Sequence, residues 1–302
     1  MADSLKVLLT GSTGYILSAL ARGEDRARVL TEAGVNVELF EDLDQTELLE
    51  NIASKYDSAS NIAVLPSSGE DVESYVFSDK DNVHAYEKYR ESLHSYAQRA
   101  AELAVVETGL ATGVRTTVIM PPTVYGIGSG FFNRLSVQIP NVIQTALNRG
   151  RAIRVGDHNA VWNHVHIDDL VTFYEMVLAR IVEGKEVPYG EKGILFTDGG
   201  EFAWTELYEG VAKALKKRGK LATEELQTLS LKEAAEIFTG GDEYSVEVGF
   251  ASSARARGDI GREWGWEPRK THSDFLNTFE VEADAVLEAG KSLNYASHLE
   301  GH

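Results

Sequence analysis

The stretch Leu5-Lys-Val-Leu-Leu-Thr10-Gly-Ser-Thr-Gly14-Tyr-Ile16 is the most informative indication of the fold of this chain. Its first six residues are mostly apolar, which is typical of a strand buried on both faces of a parallel sheet. Glycines directly after such a strand let the backbone approach a pyrophosphate, and the next helix points its N–H groups at the charge. A glycine-rich turn alone is a weak signal, but its position after a first strand indicates a dinucleotide site.

Strand and helix patterns alternate through the first half of the chain and become mostly helical afterwards. The patterns predict strands at 35–40, 115–120 and 194–197, and helices at 24–33, 44–54, 79–99, 167–182, 204–217 and 232–238. This order predicts an α/β fold with a Rossmann-type, doubly wound parallel sheet. We assign residues 1–184 to the sheet domain and 185–302 to a smaller, mainly helical C-terminal region.

The composition excludes several classes of protein. The 302 residues include 47 acidic and 29 basic side chains, so a net charge of −18 disfavours binding to nucleic acid or to an anionic membrane surface. The absence of cysteine excludes disulfides, thiolate nucleophiles and cysteine zinc sites, and it fits a reducing compartment. No apolar run reaches the roughly 20 residues of a membrane span, and we see no secretory leader. We therefore expect a cytoplasmic globular protein.

Four segments resemble motifs of the extended and atypical short-chain dehydrogenase/reductases, including the NmrA-like group. Thr10–Ile16 resembles the glycine fingerprint, Pro122–Gly126 the PxxVYG loop, Val165–Leu170 the VHVDDL segment and Trp264–Pro268 the LGWxP segment. The four stand in the same order as in the family and span most of the chain. More narrowly, the chain resembles fungal reductase-like proteins of secondary metabolism.

The resemblance implies a nicotinamide cofactor, and Arg22 makes NADP(H) the expected one. NADP-preferring members carry an arginine here that pairs bidentately with the 2′-phosphate; the alternative is a surface arginine at the start of a charged run. The remaining residues that the resemblance places at the cofactor are Gly11, Ser12, Thr13, Gly14, Tyr15, Ile16, Asp42, Leu43, Lys88, Pro121, Thr123 and Val124.

Two stretches are shorter than the resemblance requires. Leu17 stands where the fingerprint has its third glycine, and only seven residues, Tyr15–Ala21, separate Gly14 from Arg22. A crossover with its helix needs about 10–12 residues. Residues 57–78 are similarly short of a strand and a helix. Either these elements have been lost, or residues are missing from the sequence near 16–18 and 57–60; the intact pattern around both stretches favours the second interpretation.

The catalytic tyrosine of the family is absent from its expected position. Short-chain reductases place Tyr and Lys four residues apart on one helix, and none of the 12 tyrosines here has a lysine at that spacing. Lys88 matches the family lysine, and His84 stands where the tyrosine would be. A shifted alternative is Tyr86 with Arg90, and Ser60 is the expected Ser/Thr. Histidine can act as an acid or base near neutral pH, but it is shorter than tyrosine.

Further polar and aromatic residues have two interpretations each. Phe131, Phe132, Trp162 and Asn163 lie where the family lines its substrate pocket, within residues 127–166, although aromatic packing is an equal alternative. His164 and His166 share one strand face, with Asp168 and Asp169 after them. We favour a structural role over a metal site, with the aspartates capping the next helix, and expect no metal.

Three functions fit these observations. The first is an NADP(H)-dependent reductase of a small carbonyl- or imine-bearing metabolite. The second is a non-redox cyclase of Pictet–Spengler type, in which bound NADP is structural. The third is an NmrA-like redox sensor with a protein partner. The missing tyrosine disfavours the first, whereas Lys88 and the aromatic residues disfavour the third. The sequence leaves the substrate and the oligomeric state open.

Arg22 should make the protein prefer NADP(H) over NAD(H). A charge-assisted bidentate pair with the 2′-phosphate contributes roughly 1.5–3 kcal/mol, which is about one to two powers of ten in affinity. Calorimetric titration of both cofactors into wild type and Arg22→Ala measures this preference. Equal affinities in wild type, or unchanged NADP binding in the variant, would refute it.

Overall fold

The structure is a computed structural model that describes residues 62–65, 75–129 and 134–290, and the backbone of two strands before them. The described strands are β1 (Ser18–Ala21), β2 (Asn36–Leu39), β3 (Phe77–Ser78), β4 (Val118–Met120), β5 (Thr123–Tyr125), β6 (Ile153–Val155), β7 (Val161–His166), β8 (Ile194–Phe196), β9 (Gly200–Ala203), β10 (Gln227–Leu229) and β11 (Ala256–Arg257). The described helices are α1 (Val83–Leu93), α2 (Ala97–Thr112), α3 (Gln138–Arg149), α4 (Ile167–Val182), α5 (Trp204–Lys217), α6 (Leu231–Phe238), α7 (Glu243–Phe250), α8 (Asp259–Glu263) and α9 (His272–Ala289).

Parallel pairing dominates the described sheets. The pairs β1–β2, β3–β11, β4–β8, β5–β7 and β6–β10 are parallel, and β7–β9 is antiparallel. Parallel strands with helices between them confirm the predicted α/β, Rossmann-type fold. Pro121 and Pro122 separate β4 from β5 and cannot donate to a ladder, so the chain leaves β8 there and continues beside β7.

Residues 253–257 of the C-terminal part enter the sheet between β3 and β7. On one side, Ser253 and Val64 exchange two backbone hydrogen bonds of 2.9 and 2.7 Å, and Phe77 donates to the Arg255 carbonyl. On the other side, Ala254 donates to the Val161 carbonyl at 3.0 Å. The boundary at residue 184 stays a prediction, but strand pairing crosses it at both β3–β11 and β4–β8.

Most predicted elements that fall on described residues are present. The predicted strands at 35–40, 115–120 and 194–197 correspond to β2, β4 and β8, and the predicted helices at 167–182, 204–217 and 232–238 correspond to α4, α5 and α6. The predicted strand over Leu5–Thr10 and the predicted helices at 24–33 and 44–54 lie outside the described residues.

The prediction of one helix over 79–99 is wrong, because the chain forms α1 and α2 with a break between them. Asn82 accepts a hydrogen bond from the backbone N–H of Ala85 and so starts α1 at the next residue. The Glu91 carboxylate then accepts from both the Ser95 hydroxyl and the Tyr96 N–H, which holds the chain extended before α2. Local side-chain bonds to the backbone thus end the helix earlier than its periodicity indicates.

Aromatic side chains fill the core beside β7. Trp162, Phe202, Trp204 and Phe275 are all fully buried, and the two indole rings lie 5.3 Å apart. Helix α5 packs against α9, and Phe275 of α9 contacts Phe202 of β9 at 4.8 Å. This packing holds α9 against β5, β7 and β9, through contacts of Phe275 with Tyr125, His164 and Phe202.

Alanine at Gly258 should destabilise the fold. A Cβ atom there would lie 2.3 Å from the Phe196 carbonyl oxygen, a backbone atom that cannot rotate away. We expect a loss of about 1–3 kcal/mol in the free energy of unfolding. Gly128→Ala is the matched control, because its Cβ would meet the Arg134 carbonyl at an ordinary 3.5 Å. Urea unfolding of both variants decides the point, and equal stabilities would contradict this packing of residue 258.

Candidate functional site

The candidate site lies where parallel strands β3, β4 and β8 end. Ligands of open α/β sheets bind outside the carboxyl ends of such strands. Asp79, Pro121 and Thr197 are the first residues after these three strands, and all three are buried. The Thr197 hydroxyl has no hydrogen-bond partner among the described residues.

Asp79 follows β3, and its carboxylate accepts hydrogen bonds from β8 and α8 at this edge. The donors are the backbone N–H of Phe196 at 3.3 Å and that of Ile260 at 3.1 Å. Burial raises the pKa of Asp79 to about 6, although these hydrogen bonds act to lower it. A buried carboxyl group that titrates near neutral pH has the acid–base character sought in an active site.

Ser78 carries a hydroxyl at this edge of the sheet. It was not among the site residues predicted from the sequence. It ends β3, five residues before α1, and its Oγ donates to the Asp259 carboxylate at 2.6 Å. The expected residue, Ser60, lies outside the described residues. The signal for Ser78 was its place at the end of the strand before the helix, but a two-residue strand gives little periodicity.

His84 and Lys88 share a face of α1 that is directed at α2 and at the 3-10 turn Gly190–Lys192. His84 is buried, and its Nδ1 lies 4.0 Å from Glu191, while Nε2 has no partner among the described residues. Burial lowers the pKa of His84. Lys88 is 55% exposed and pairs with Glu107 at 2.8 Å. Glu191 precedes β8, so this face lies toward the amino end of that strand.

Tyr86 and Arg90 lie on another face of the same helix. The Tyr86 ring packs on Phe77 of β3, with ring centroids 4.6 Å apart. Arg90 is buried, and its Nη1 donates to the Tyr86 hydroxyl at 3.2 Å. The structure therefore places the shifted pair beside the strand that ends at Ser78.

The residues expected at the nicotinamide follow β4. Pro121 and Thr123 are buried, and the Thr123 hydroxyl donates to the Gln138 side-chain oxygen at 2.5 Å. Val124 points to the opposite face of β5 and packs against the cluster around Val165. Their contact with a cofactor stays a prediction.

Trp162 and Asn163 have their polar atoms engaged within the protein. The Trp162 indole donates to Ser252 Oγ at 3.1 Å. Asn163 donates to the Gly200 carbonyl and accepts from the Ala256 N–H, so it holds the inserted C-terminal strand. These contacts match the packing alternative, and the role of both residues in a substrate pocket remains a prediction.

The side chains of His164 and Tyr125 are buried, and their polar atoms have no hydrogen-bond partner among the described residues. The two rings meet edge to face at 5.3 Å, and His164 stacks on Phe275 at 4.5 Å. Burial lowers the pKa of His164 to about 4 and raises that of Tyr125.

His166 caps the following helix, which corrects part of the sequence interpretation. Its Nδ1 accepts from the Asp168 N–H at 3.1 Å, so the imidazole takes the capping place expected of the aspartates. Asp169 instead accepts from the backbone N–H groups of Arg269 and Lys270. Within residues 62–65, 75–129 and 134–290, no three His, Asp or Glu side chains are grouped to hold a metal ion.

Several expected site residues lie outside the described residues. They are Gly11, Ser12, Thr13, Gly14, Tyr15, Ile16, Arg22, Asp42, Leu43, Phe131 and Phe132. In the part of the chain that is described, no helix is long and apolar enough to cross a membrane.

Comparison with known proteins relates the chain to one enzyme family. Residues 44–189 match the model of the NAD dependent epimerase/dehydratase family. A curated relative, Oxidase ucsJ of Acremonium sp, is 24% identical over 282 residues, which covers 78% of this chain and 81% of the relative.

Two solved structures are similar at low identity. RMD from Pseudomonas aeruginosa, complexed with NADPH, is 18% identical with a TM-score of 0.37, covering 63% of this chain and 54% of its own. The dTDP-glucose 4,6-dehydratase of Bacillus anthracis, in complex with NAD, is 13% identical with a TM-score of 0.49, covering 90% of this chain and 78% of its own. The chain thus spans little more than half the length of the Pseudomonas structure.

The His164→Leu variant should lose less of its free energy of unfolding than wild type when the pH falls from about 7 to 4. The unfolded chain protonates this imidazole near its ordinary pKa of 6.5, and the folded protein only near 4. Because the unfolded state binds the proton first, stability falls as the pH drops through this window, by roughly 3 kcal/mol at its acid end.

Urea unfolding from about pH 7 to pH 4 measures the difference between wild type and His164→Leu. Asp79 acts in the opposite sense, since its raised pKa stabilises the folded state as the pH falls below about 6. That contribution is common to both proteins and cancels in the comparison. His158→Leu is the control, because His158 is 63% exposed. Parallel pH profiles for wild type and His164→Leu would be inconsistent with a neutral buried imidazole.

Proposed function

We propose that the protein is a nicotinamide-dependent oxidoreductase-like enzyme of the epimerase/dehydratase type, acting on a small carbonyl- or imine-bearing metabolite. The observation that carries this proposal is the family match over residues 44–189, because that stretch includes α1, β4, β5 and β7. The glycine-rich stretch ending at Ile16 precedes it in the chain. The curated relative is named an oxidase, which supports the redox class.

The cofactor of the proposal is NADP(H), on the strength of Arg22. One feature of the strand ends fits a bound group, namely the buried Thr197 hydroxyl without a partner among the described residues. A buried hydroxyl costs free energy unless it makes a hydrogen bond. When bound, the nicotinamide supplies or accepts a hydride. The NmrA-like grouping and a place in secondary metabolism remain part of the proposal.

Tyr86 with Arg90 is the acid–base pair that the contacts favour. A tyrosine that passes a proton to a carbonyl develops negative charge on its oxygen. The Arg90 guanidinium is always charged and donates directly to that oxygen, so it stabilises this charge. Tyr86 also lies against β3, the strand that ends at Ser78 beside the buried carboxyl group of Asp79.

His84 with Lys88 is the rival pair, and its contacts support it less. The Lys88 ammonium is bound to Glu107, and His84 is nearest to Glu191 before β8. Both contacts lie on the side of α1 away from the Tyr86–Phe77 contact. No contact in the described residues favours the cyclase or the redox sensor over the redox enzyme.

Phenylalanine at Tyr86 should lower the rate of hydride transfer by roughly 10²–10⁴-fold, which is the usual contribution of a general acid–base group. Tyr89→Phe on the same helix is the matched control and should leave the rate unchanged, because Tyr89 is 57% exposed. Oxidation of NADPH, followed at the nicotinamide absorbance band with a panel of small aldehydes, ketones and imines, measures the rate.

His84→Ala completes the comparison. A large loss in this variant with full activity in Tyr86→Phe would assign the relay to His84 and Lys88 instead. Product formation from an amine and an aldehyde without any change in NADPH would establish the cyclase in place of the redox enzyme.

A further inference from the structure

Glu282 of α9 is a fully buried carboxylate that the proposed function does not use. Its side chain is 0% exposed, although a charged group is expensive to bury without donors. Oε1 accepts from the Gly126 N–H at 2.9 Å, and Oε2 accepts from the Ser136 hydroxyl at 3.3 Å. Thr278, one turn earlier on α9, also donates to Oε1 at 3.4 Å.

The two main partners of Glu282 lie at opposite ends of the connection between β5 and α3. Gly126 directly follows β5, and Ser136 stands two residues before α3. Between them, the Gly128 N–H donates to the Arg134 carbonyl at 2.9 Å, and Arg134 Nε donates back to the Gly128 carbonyl. Residues 130–133 lie outside the described residues. We call Gly126, Ser136 and Glu282 the carboxylate clamp.

Only glycine fits at position 126. Its φ of +91° is in the left-handed region, and a Cβ atom would lie 2.5 Å from Nε2 of His166. The backbone is therefore held between the His166 ring on one side and the Glu282 carboxylate on the other. A peptide fixed from two sides gives the preceding residues little freedom.

The segment before Gly126 is held in a second place. Thr123 donates to the Gln138 side-chain oxygen, and the Gln138 amide donates to the Gly249 carbonyl at 2.7 Å. All three residues are buried. Pro121–Gly126 is thus fixed at Thr123 through α3 and α7, and at Gly126 through α9.

We propose that Glu282 is a positioning residue, whose carboxylate holds Gly126 and Ser136 so that residues 121–126 present a fixed backbone to the cofactor. The effect on the cofactor rests on the proposed function, whereas the clamp itself does not. Glu282 touches no reacting group in this assignment. It acts by holding residues 121–126 in one conformation before the cofactor binds, so that binding does not have to order them.

Two variants of Glu282 test the clamp. Glu282→Gln keeps an acceptor for Gly126, and its amide N–H₂ can donate to the Ser136 hydroxyl. Glu282→Leu is similar in size and offers no acceptor. Hydrogen exchange at the Gly126 amide should be at least about tenfold faster in Glu282→Leu and within about threefold of wild type in Glu282→Gln. Unchanged exchange in Glu282→Leu would overturn the clamp.

The positioning role has its own readout. In NADPH oxidation, we expect the KM for NADPH to rise about tenfold in Glu282→Leu with kcat changed less, and to return toward wild type in Glu282→Gln. Should Glu282→Leu fail to fold, Ser136→Ala removes one bond and should raise the same KM by about threefold. Ser230→Ala is the control for lost stability, because it removes the side-chain cap of α6, which is not part of the clamp or of the Thr123 contacts, and should leave KM and the Gly126 exchange unchanged.

The outcomes separate the two proposals. Faster exchange with an unchanged KM would overturn the positioning role and leave a structural clamp. A wild-type protein that binds neither NADPH nor NADH in calorimetry would overturn the proposed function, and with it the positioning role, while the exchange result would still decide the clamp.

Discussion

The C-terminal strand, residues 253–257, pairs through its backbone with Val64 and β3 on one side and with the start of β7 on the other, and this pairing sets where the neighbouring strands end. Buried N–H and C=O groups must be paired, and this strand supplies partners to Val64 and Phe77 on one side and to Val161 on the other. It therefore joins β3 to β7 and brings α8 over the ends of β3 and β8. The edge at which ligands of this fold bind is assembled from segments that are about 180 residues apart, as the bond between Ser78 and Asp259 illustrates.

Three buried carboxylates fix this arrangement. Asp79 accepts from Ile260, Asp198 accepts from Gly258, and Glu282 accepts from Gly126. Each links a backbone N–H to a side chain far away in the chain, and these donors offset part of the cost of burying the carboxylate. A backbone N–H points in one direction. A carboxylate that accepts a hydrogen bond from it therefore fixes the position of that peptide group. The strand ends are consequently placed by polar contacts as much as by apolar packing.

The geometry of α1 places the two proposed acid–base pairs on different faces of the helix. Residues 84 and 86 are separated by about 200° around a helix with 3.6 residues per turn. They must therefore lie on different faces of the helix. Tyr86 faces β3, where it contacts Phe77, and His84 faces Glu191, which precedes β8. Each pair spans four residues and is internally consistent, so spacing alone cannot choose between them.

The class of fold and several helices and strands could be predicted from the amino-acid pattern alone. Apolar runs bounded by glycine or proline gave β4 and β8, and helical spacing gave α4 and α5, because these patterns depend only on neighbours within a few turns. The break between α1 and α2 comes from bonds of Glu91 to Ser95 and Tyr96, which are local but leave the helical period unchanged. The tertiary structure alone decided which way the Tyr86 side chain points and where Ser78 lies. Each depends on one side chain meeting a distant backbone or ring, as Asp79 meets Ile260, and such contacts leave no periodic trace in the sequence.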